Sequence, residues 1–176
     1  YPEETCGGIT ITNSNPNLSY LILTDNDRAL CLSNSNSNID NLIISDNLIN
    51  DNGNINGLGP AGIIIRNAPV QITNTNVSNN IGQAIFIDFD TWAGYNEQVL
   101  IENSVITNNI SHQGGAGLYI EDAHIKINKC LIYNNTSLGS GLGGGIWVNS
   151  GHIDIENSTI VNNGDDGYIG SSDCEA

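Results

Sequence analysis

The sequence has few basic residues. Only four lysines and arginines stand against 19 aspartates and glutamates, which gives a formal net charge of −15. Because so few cations are available to neutralise phosphates, the composition excludes nucleic acid and anionic membrane surfaces as partners. The sequence also lacks an apolar stretch of the ~20 residues that a membrane-spanning helix needs, so we expect no membrane insertion. The excess of carboxylates would instead attract cations or a basic surface. The alternative is a solvated acidic surface that keeps the protein soluble.

Methionine is absent, and the sequence begins at Tyr1 without an apolar signal segment. We therefore expect a processed mature chain, a fragment or an excised piece of a longer protein. The length of 176 residues corresponds to a single domain, residues 1–176, which is long enough to bury a substantial core.

Asparagine and glycine are abundant instead, with 29 and 20 residues respectively. Asparagine is unfavourable inside helices and ordinary strands, but it tolerates a left-handed backbone and stabilises turns. Short runs of Ile, Leu and Val lie between the asparagines, and 39% of the sequence is hydrophobic. This arrangement favours a fold with many regular corners over a disordered polar tract.

A repeat of about 28 residues runs through the sequence. One half reads PVQITNTNVSNN at 69–80 and HIDIENSTIVNN at 152–163, and the other half reads AGLYIEDA at 116–123. Alternation within each half places one set of side chains on a single face. The predicted apolar columns are Ile44, Ile72, Ile101, Ile127, Ile155; Ile49, Val77, Ile106, Ile132, Ile160; and Ile9, Leu30, Ile63, Ile85, Leu118, Ile146.

Such columns indicate a parallel coil in which each isoleucine stacks on the one below at ~4.8 Å. A leucine-rich repeat is the main rival at this period, but its L-x-x-L-x-L pattern is absent. Asparagines at the corners can adopt positive φ and form amide bonds between coils. The predicted polar columns are Asp46, Asn74, Asn103, Asn157, with Lys129 interrupting them, and Asn52, Asn80, Asn109, Asn135, Asn163. Glycines before Ile63, Leu118 and Ile146 serve a second corner.

The pattern G-G-x-I before one strand and I-x-x-N-N after another resembles the right-handed parallel β-helix repeats of extracellular proteins. It is most similar to the chlamydial polymorphic outer-membrane-protein type and related bacterial surface repeats. The resemblance covers nearly the whole chain and implies an all-β fold, a single right-handed parallel β-helix of about six coils. It leaves the function open, because adhesins, structural surface proteins and carbohydrate-cleaving enzymes share these repeats.

The longest departure from the repeat is the segment 88–98, DFDTWAGYNEQ. Carboxylates beside aromatic rings can bind a sugar, hold a calcium ion or act as an acid–base pair. The alternative is a loop whose rings cover a strand edge while its acids stay hydrated. The D-x-[DN]-x-[DN]-G frame of calcium loops is absent. The candidate residues are Asp88, Asp90, Trp92, Tyr95 and Glu97.

An aromatic strip is the second candidate site. Phe86, Tyr119 and Trp147 occupy one outward-facing column on three successive coils, so their rings should lie side by side over roughly 10 Å. Such a strip can stack on sugar rings or contact a protein partner. Stabilisation of the solenoid by covering its backbone is the alternative.

Signals for catalysis and metal binding are weak. Gly164-Asp165-Asp166-Gly167 resembles the paired aspartates of β-helical polysaccharide hydrolases, but the companion Asn-x-Asp, Gly-His-Gly and Arg-x-Lys elements are absent. The histidines His112, His124 and His152 show no metal-ligand spacing. We therefore predict no catalytic residues, no metal site and no cofactor, with calcium left as an open possibility at the acidic loop.

Neither end of the sequence has a capping helix, so further coils or end-to-end stacking of subunits is expected. Stacking would bring Cys174 of one subunit near Cys6 of the next, which suggests an intermolecular disulfide; free thiols are the alternative. We predict a non-enzymatic module of the cell surface or extracellular space, adhesin-like or forming a filament, with a possible glycan or protein partner. A carbohydrate-active β-helix enzyme or glycan-binding domain is the other candidate.

Overall fold

A computed structural model describes residues 6–49, 59–89, 98–139 and 143–164, and within these ranges the chain forms only strands, turns and bends. Among them, no helix has the length and apolar character needed to cross a bilayer. The predicted all-β fold is confirmed.

Three parallel sheets form the sides of a solenoid, and each contains six strands in the described ranges. Sheet A comprises β1 (Ile9–Thr12), β4 (Leu30–Ser33), β7 (Pro60–Arg66), β10 (Gln83–Asp88), β14 (Leu118–Glu121) and β18 (Ile146–Val148). Sheet B comprises β2 (Asn17–Ser19), β5 (Ser37–Asp40), β8 (Val70–Thr73), β11 (Gln98–Glu102), β15 (Ala123–Asn128) and β19 (Gly151–Glu156). Sheet C comprises β3 (Ile22–Thr24), β6 (Ile43–Ser45), β9 (Asn76–Ser78), β12 (Val105–Thr107), β16 (Leu131–Tyr133) and β20 (Thr159–Val161). A short fourth sheet pairs β13 (Ile110–Ser111) with β17 (Thr136–Ser137).

Each coil contributes one strand to each of the three large sheets, so the chain forms a parallel β-helix of six coils. The core is a set of stacked aliphatic columns: Ile85, for example, lies opposite Ile63 on one neighbouring strand and Leu118 on the other. All three side chains are fully buried. The stacking of aliphatic side chains that the repeat predicts is therefore present, and the stacked columns form one continuous hydrophobic core.

The predicted register of the second coil is wrong. Ile44 pairs with Val77 rather than Ile72, and Ile39 takes the place opposite Ile72. The block that the sequence treats as one unit in fact holds two strands, separated by a corner, so each coil has three sides. The strand Ser37–Asp40 carries one large apolar residue, whereas the neighbouring segment 41–45 carries three. Because its apolar pattern is stronger, the segment 41–45 was matched to the sheet B strands of the other coils, where Ser37–Asp40 belongs.

The asparagines stand at the corners, as predicted. Asn74, Asn103, Asn157 and the interrupting Lys129 all have φ between 48° and 54°, the left-handed region that asparagine tolerates better than most residues. Asp46 belongs to a different corner, because its backbone N–H donates to Ser78 at the end of sheet C.

A ladder of asparagines, buried except for the half-buried Asn26 in the first coil, follows sheet C. The side-chain Nδ2 of each member donates to the Oδ1 of the next at 2.8–3.0 Å, and that Oδ1 also accepts the backbone N–H of the first. In the second coil the member is Asn47, not the predicted Asn52, which lies outside the described residues. The ladder consists of Asn26, Asn47, Asn80, Asn109, Asn135 and Asn163.

Glycines at the start of the sheet A strands or just before them permit close backbone approach between coils. A Cβ on Gly62 would lie 2.1 Å from the carbonyl oxygen of Ala84, and one on Gly117 would lie 2.3 Å from that of Gly145. These separations are shorter than any van der Waals contact allows, so at both positions the present backbone requires glycine.

The predicted bridge between Cys6 and Cys174 of another subunit is wrong, because Cys6 is bonded to Cys31 of the same chain, with a Cα–Cα distance of 5.7 Å. Cys31 lies opposite Thr10 in the register of β1 and β4. The backbone N–H of Cys6 donates to the Thr10 hydroxyl at 2.9 Å, which turns the segment before β1 towards the second coil. Cys174 lies outside the described residues, and end-to-end stacking itself stays a prediction.

Candidate functional site

The outer face of sheet A brings the predicted aromatic strip together. The parallel register places Phe86 opposite Tyr119 and Tyr119 opposite Trp147 on the strands β10, β14 and β18. In each strand the flanking aliphatic residues point into the core, so alternation directs the aromatic residue outward. Phe86, Tyr119 and Trp147 are each half-buried, which leaves part of every ring accessible.

The three side chains of the strip interact pairwise along the row. The Phe86 and Tyr119 rings are stacked at a centroid distance of 5.2 Å and an interplanar angle of 18°. Burial raises the pKa of the Tyr119 hydroxyl above its ordinary value of 10.0; the charges of Glu121 and Asp88 act in the same direction, and a hydrogen bond with Trp147 opposes them. The strip is thus a packed platform rather than three independent side chains.

A row of polar side chains lies beside the strip, two residues further along the same strands. Arg66 forms an ion pair with Asp88, and its guanidinium lies over the Phe86 ring, 5.1 Å from the centroid. Asp88 lies opposite Glu121 in the strand register, and Glu121 accepts a 2.9 Å hydrogen bond from the Asn149 side chain. Ring faces and hydrogen-bonding groups therefore run in parallel along this surface.

A cavity of about 420 Å³ opens at the Trp147 end of the strip. Tyr119, Trp147 and Asn149 form one wall, and the loop that follows β13 forms the other with His112, Gln113 and Gly114. Gln113 is held in place because its side-chain oxygen accepts from Gln83 at 3.1 Å and its carbonyl accepts from Ser137 at 2.9 Å. The arrangement offers a ring-sized space with aromatic and amide contacts.

The segments 110–115 and 136–139 lie side by side, since β13 pairs with β17 and a Cβ on Gly139 would lie 2.7 Å from the carbonyl oxygen of His112. Of the predicted acidic loop, only Asp88 falls within the described residues, where it joins the polar row. Asp90, Trp92, Tyr95 and Glu97 lie outside them, so sugar or calcium binding by that loop stays a prediction.

Arg66, Glu121 and Asn149 were not predicted as site residues, although Glu121 and Asn149 each lie two residues after a member of the aromatic strip. A cluster on sheet B was not predicted either. There His124 lies opposite His152, and Asp154 lies two residues after His152 on the same face. One ligand atom from each of these three residues lies within 4.8 Å of the others, so these side chains could hold a metal ion.

A family model described as right handed beta helix region matches residues 61–175. No curated protein and no solved structure shows a significant match to the chain.

Proposed function

Since the chain belongs to the family of right-handed β-helix proteins, we propose that it is an extracellular, adhesin-like β-helix module that binds a glycan along the outer face of sheet A. The observation that carries this proposal is the strip of Phe86, Tyr119 and Trp147 beside a row of hydrogen-bonding side chains. Pyranose rings have apolar faces and polar edges, which match stacked aromatic rings flanked by amides and carboxylates.

The charge of the surface narrows the class of glycan. Asp88 and Glu121 lie in the polar row, and the whole chain has a net charge of −15. A polysaccharide of uronic acids or sulfated sugars would be repelled by these carboxylates. A neutral glycan, or one carrying free amino groups, fits the site.

The disulfide supports an extracellular location. The Cys6–Cys31 bond joins the first two coils, and such structural disulfides persist in oxidising compartments and are rare in the cytosol. A surface or secreted module would also encounter extracellular polysaccharides, whose chains are long enough to lie along the outer face of sheet A.

We propose binding rather than cleavage, because both carboxylates of the polar row are already engaged: Asp88 pairs with Arg66, and Glu121 accepts from Asn149. The adjacency of Asp88 and Glu121 on neighbouring strands keeps glycoside hydrolysis as a second candidate. Release of reducing ends from a bound polysaccharide, abolished by Asp88→Asn, would favour that candidate.

The proposal is tested on a glycan array, followed by titration calorimetry with the best ligand. Trp147→Ala should weaken binding about 10–30-fold, because losing an aromatic anchor of a binding surface typically costs about 1.4–2 kcal/mol. Tyr20→Asn is the matched control, since Tyr20 is an aromatic residue on a different face, 80% exposed, at a corner with φ 57°. Asparagine occupies that corner in other coils, so the control variant should fold normally.

Binding that Tyr20→Asn preserves and Trp147→Ala weakens would support the proposal. Absence of binding to any neutral or amino glycan, or equal affinity in Trp147→Ala and wild type, would overturn it. Thermal unfolding of each variant separates lost recognition from lost folding.

A further inference from the structure

We propose that His124, His152 and Asp154 form a binding site for a divalent transition metal such as Zn²⁺ on the outer face of sheet B. This site is independent of the glycan surface, which lies on sheet A. Two imidazoles and one carboxylate are donors that Zn²⁺ and its first-row neighbours prefer.

The coil itself assembles the site. His124 and His152 occupy the same position on β15 and β19, one coil apart, so the parallel register stacks them. Their rings meet edge to face with centroids 4.7 Å apart. Asp154 follows His152 by two residues, and strand alternation therefore places it on the same face.

The distances suit a tetrahedral ion. The Nε2 of His124 lies 3.3 Å from one carboxylate oxygen of Asp154, and the Nε2 of His152 lies 3.2 Å from the other. Ligand atoms bound tetrahedrally at 2.0–2.1 Å are separated by about 3.3 Å from one another. A metal ion can therefore lie between these atoms after side-chain rotation, with each neutral imidazole coordinating through Nε2 and carrying its hydrogen on Nδ1.

The three proposed ligands differ in solvent exposure. The side chain of His124 is 8% exposed, whereas those of His152 and Asp154 are 34% and 47% exposed. The buried histidine fixes one ligand, and the exposed pair leaves a route for the ion from solvent. Three protein ligands leave the fourth tetrahedral position for water.

The neighbouring ion pair provides a matched control. Lys126 and Glu156 lie on the same face and pair at 2.8 Å. Glu156 is two residues beyond Asp154 on β19, so Glu156→Gln removes the same charge from the same surface without removing a proposed ligand. It separates ligation from general attraction of cations to an acidic protein.

The test is calorimetric titration of the chelator-treated full chain with Zn²⁺, with Mg²⁺ as the hard-ion comparison and Co²⁺ absorption as the report of coordination geometry. We expect one Zn²⁺ per chain, affinity for Zn²⁺ well above that for Mg²⁺, and a tetrahedral Co²⁺ spectrum. His152→Ala and Asp154→Asn should each reduce Zn²⁺ affinity at least tenfold, while Glu156→Gln should leave it unchanged.

Equal losses in Asp154→Asn and Glu156→Gln would overturn the proposal, because they would indicate diffuse electrostatic attraction. Unchanged affinity in His152→Ala would overturn it as well. His152 is partly exposed, so its replacement should not disturb folding, and urea unfolding of the metal-free variants checks this directly.

Discussion

At the scale of single residues, Tyr119 occupies the centre of the aromatic strip, and its hydroxyl reports the environment there. Burial and the charges of Glu121 and Asp88 raise its pKa above 10.0. The folded state therefore retains the hydroxyl proton more tightly than the unfolded state. The stabilisation is complete below pH 10 and is lost as the pH rises through the raised pKa of the folded state.

We predict that the difference in ultraviolet absorbance between wild type and Tyr119→Phe titrates with a midpoint above pH 10. Glu121→Gln should lower this midpoint by removing a negative charge, and Trp147→Phe should raise it further by removing the hydrogen bond with the phenolate. A midpoint at or below pH 10 in wild type, or no response to either variant, would contradict the described packing.

The residues of this surface were partly predictable. Strand alternation alone directs Phe86, Tyr119 and Trp147 outward, because their neighbours are aliphatic on both sides. The stacking of His124 on His152 follows from the same repeat, since both precede the first apolar residue of equivalent strands. The metal-binding geometry was not predicted, because His124 and His152 are far apart in the sequence and match no short ligand motif. A solenoid brings such residues together across neighbouring coils.

At the scale of elements, the buried asparagine ladder joins the coils at one corner. Asn109 donates to the carbonyls of Val77 and Thr107 and to Asn135, and it accepts from Asn80. Each of these groups is buried, so loss of the amide would leave several backbone and side-chain groups without partners.

We predict that Asn109→Ala lowers the free energy of unfolding by about 3 kcal/mol, because buried polar groups left unsatisfied cost about 1–3 kcal/mol each. Urea denaturation measures the change. Asn76→Ala, at an exposed position of β9, should change stability by less than about 0.5 kcal/mol. Similar losses in both variants would show that the ladder has no special contribution.

The elements were less predictable than the repeat. Columns such as Ile72, Ile101 and Ile127 were placed correctly because every member is apolar and the intervals are regular. The predicted register of the second coil was wrong because a single isoleucine, Ile39, marks its strand in sheet B. The split of each repeat into three sides rather than two depends on left-handed corners at single residues, such as Asn74 and Asn103, which hydrophobic periodicity does not register.

At the scale of the whole molecule, stability should follow the coupling between neighbouring coils, as in other solenoids. The first coil contacts only one neighbouring coil within the described residues, through β1, β2 and β3. The Cys6–Cys31 disulfide adds a covalent link at this end of the stack, across a sequence separation of 25 residues. This pairing was not predicted from the repeat, because Cys6 precedes β1 and strand register does not fix the position of a residue outside the strands.

Chain entropy implies that closing a loop of this length stabilises the folded state by about 3.5 kcal/mol. We therefore predict that the double variant Cys6→Ala/Cys31→Ala unfolds at lower urea concentration than wild type. Dithiothreitol should bring wild type to the stability of the double variant and leave the variant unchanged, because Cys130 and Cys174 are common to both. Peptide mapping of the unreduced chain that joined Cys6 to Cys174 would contradict the structure and restore the intermolecular link.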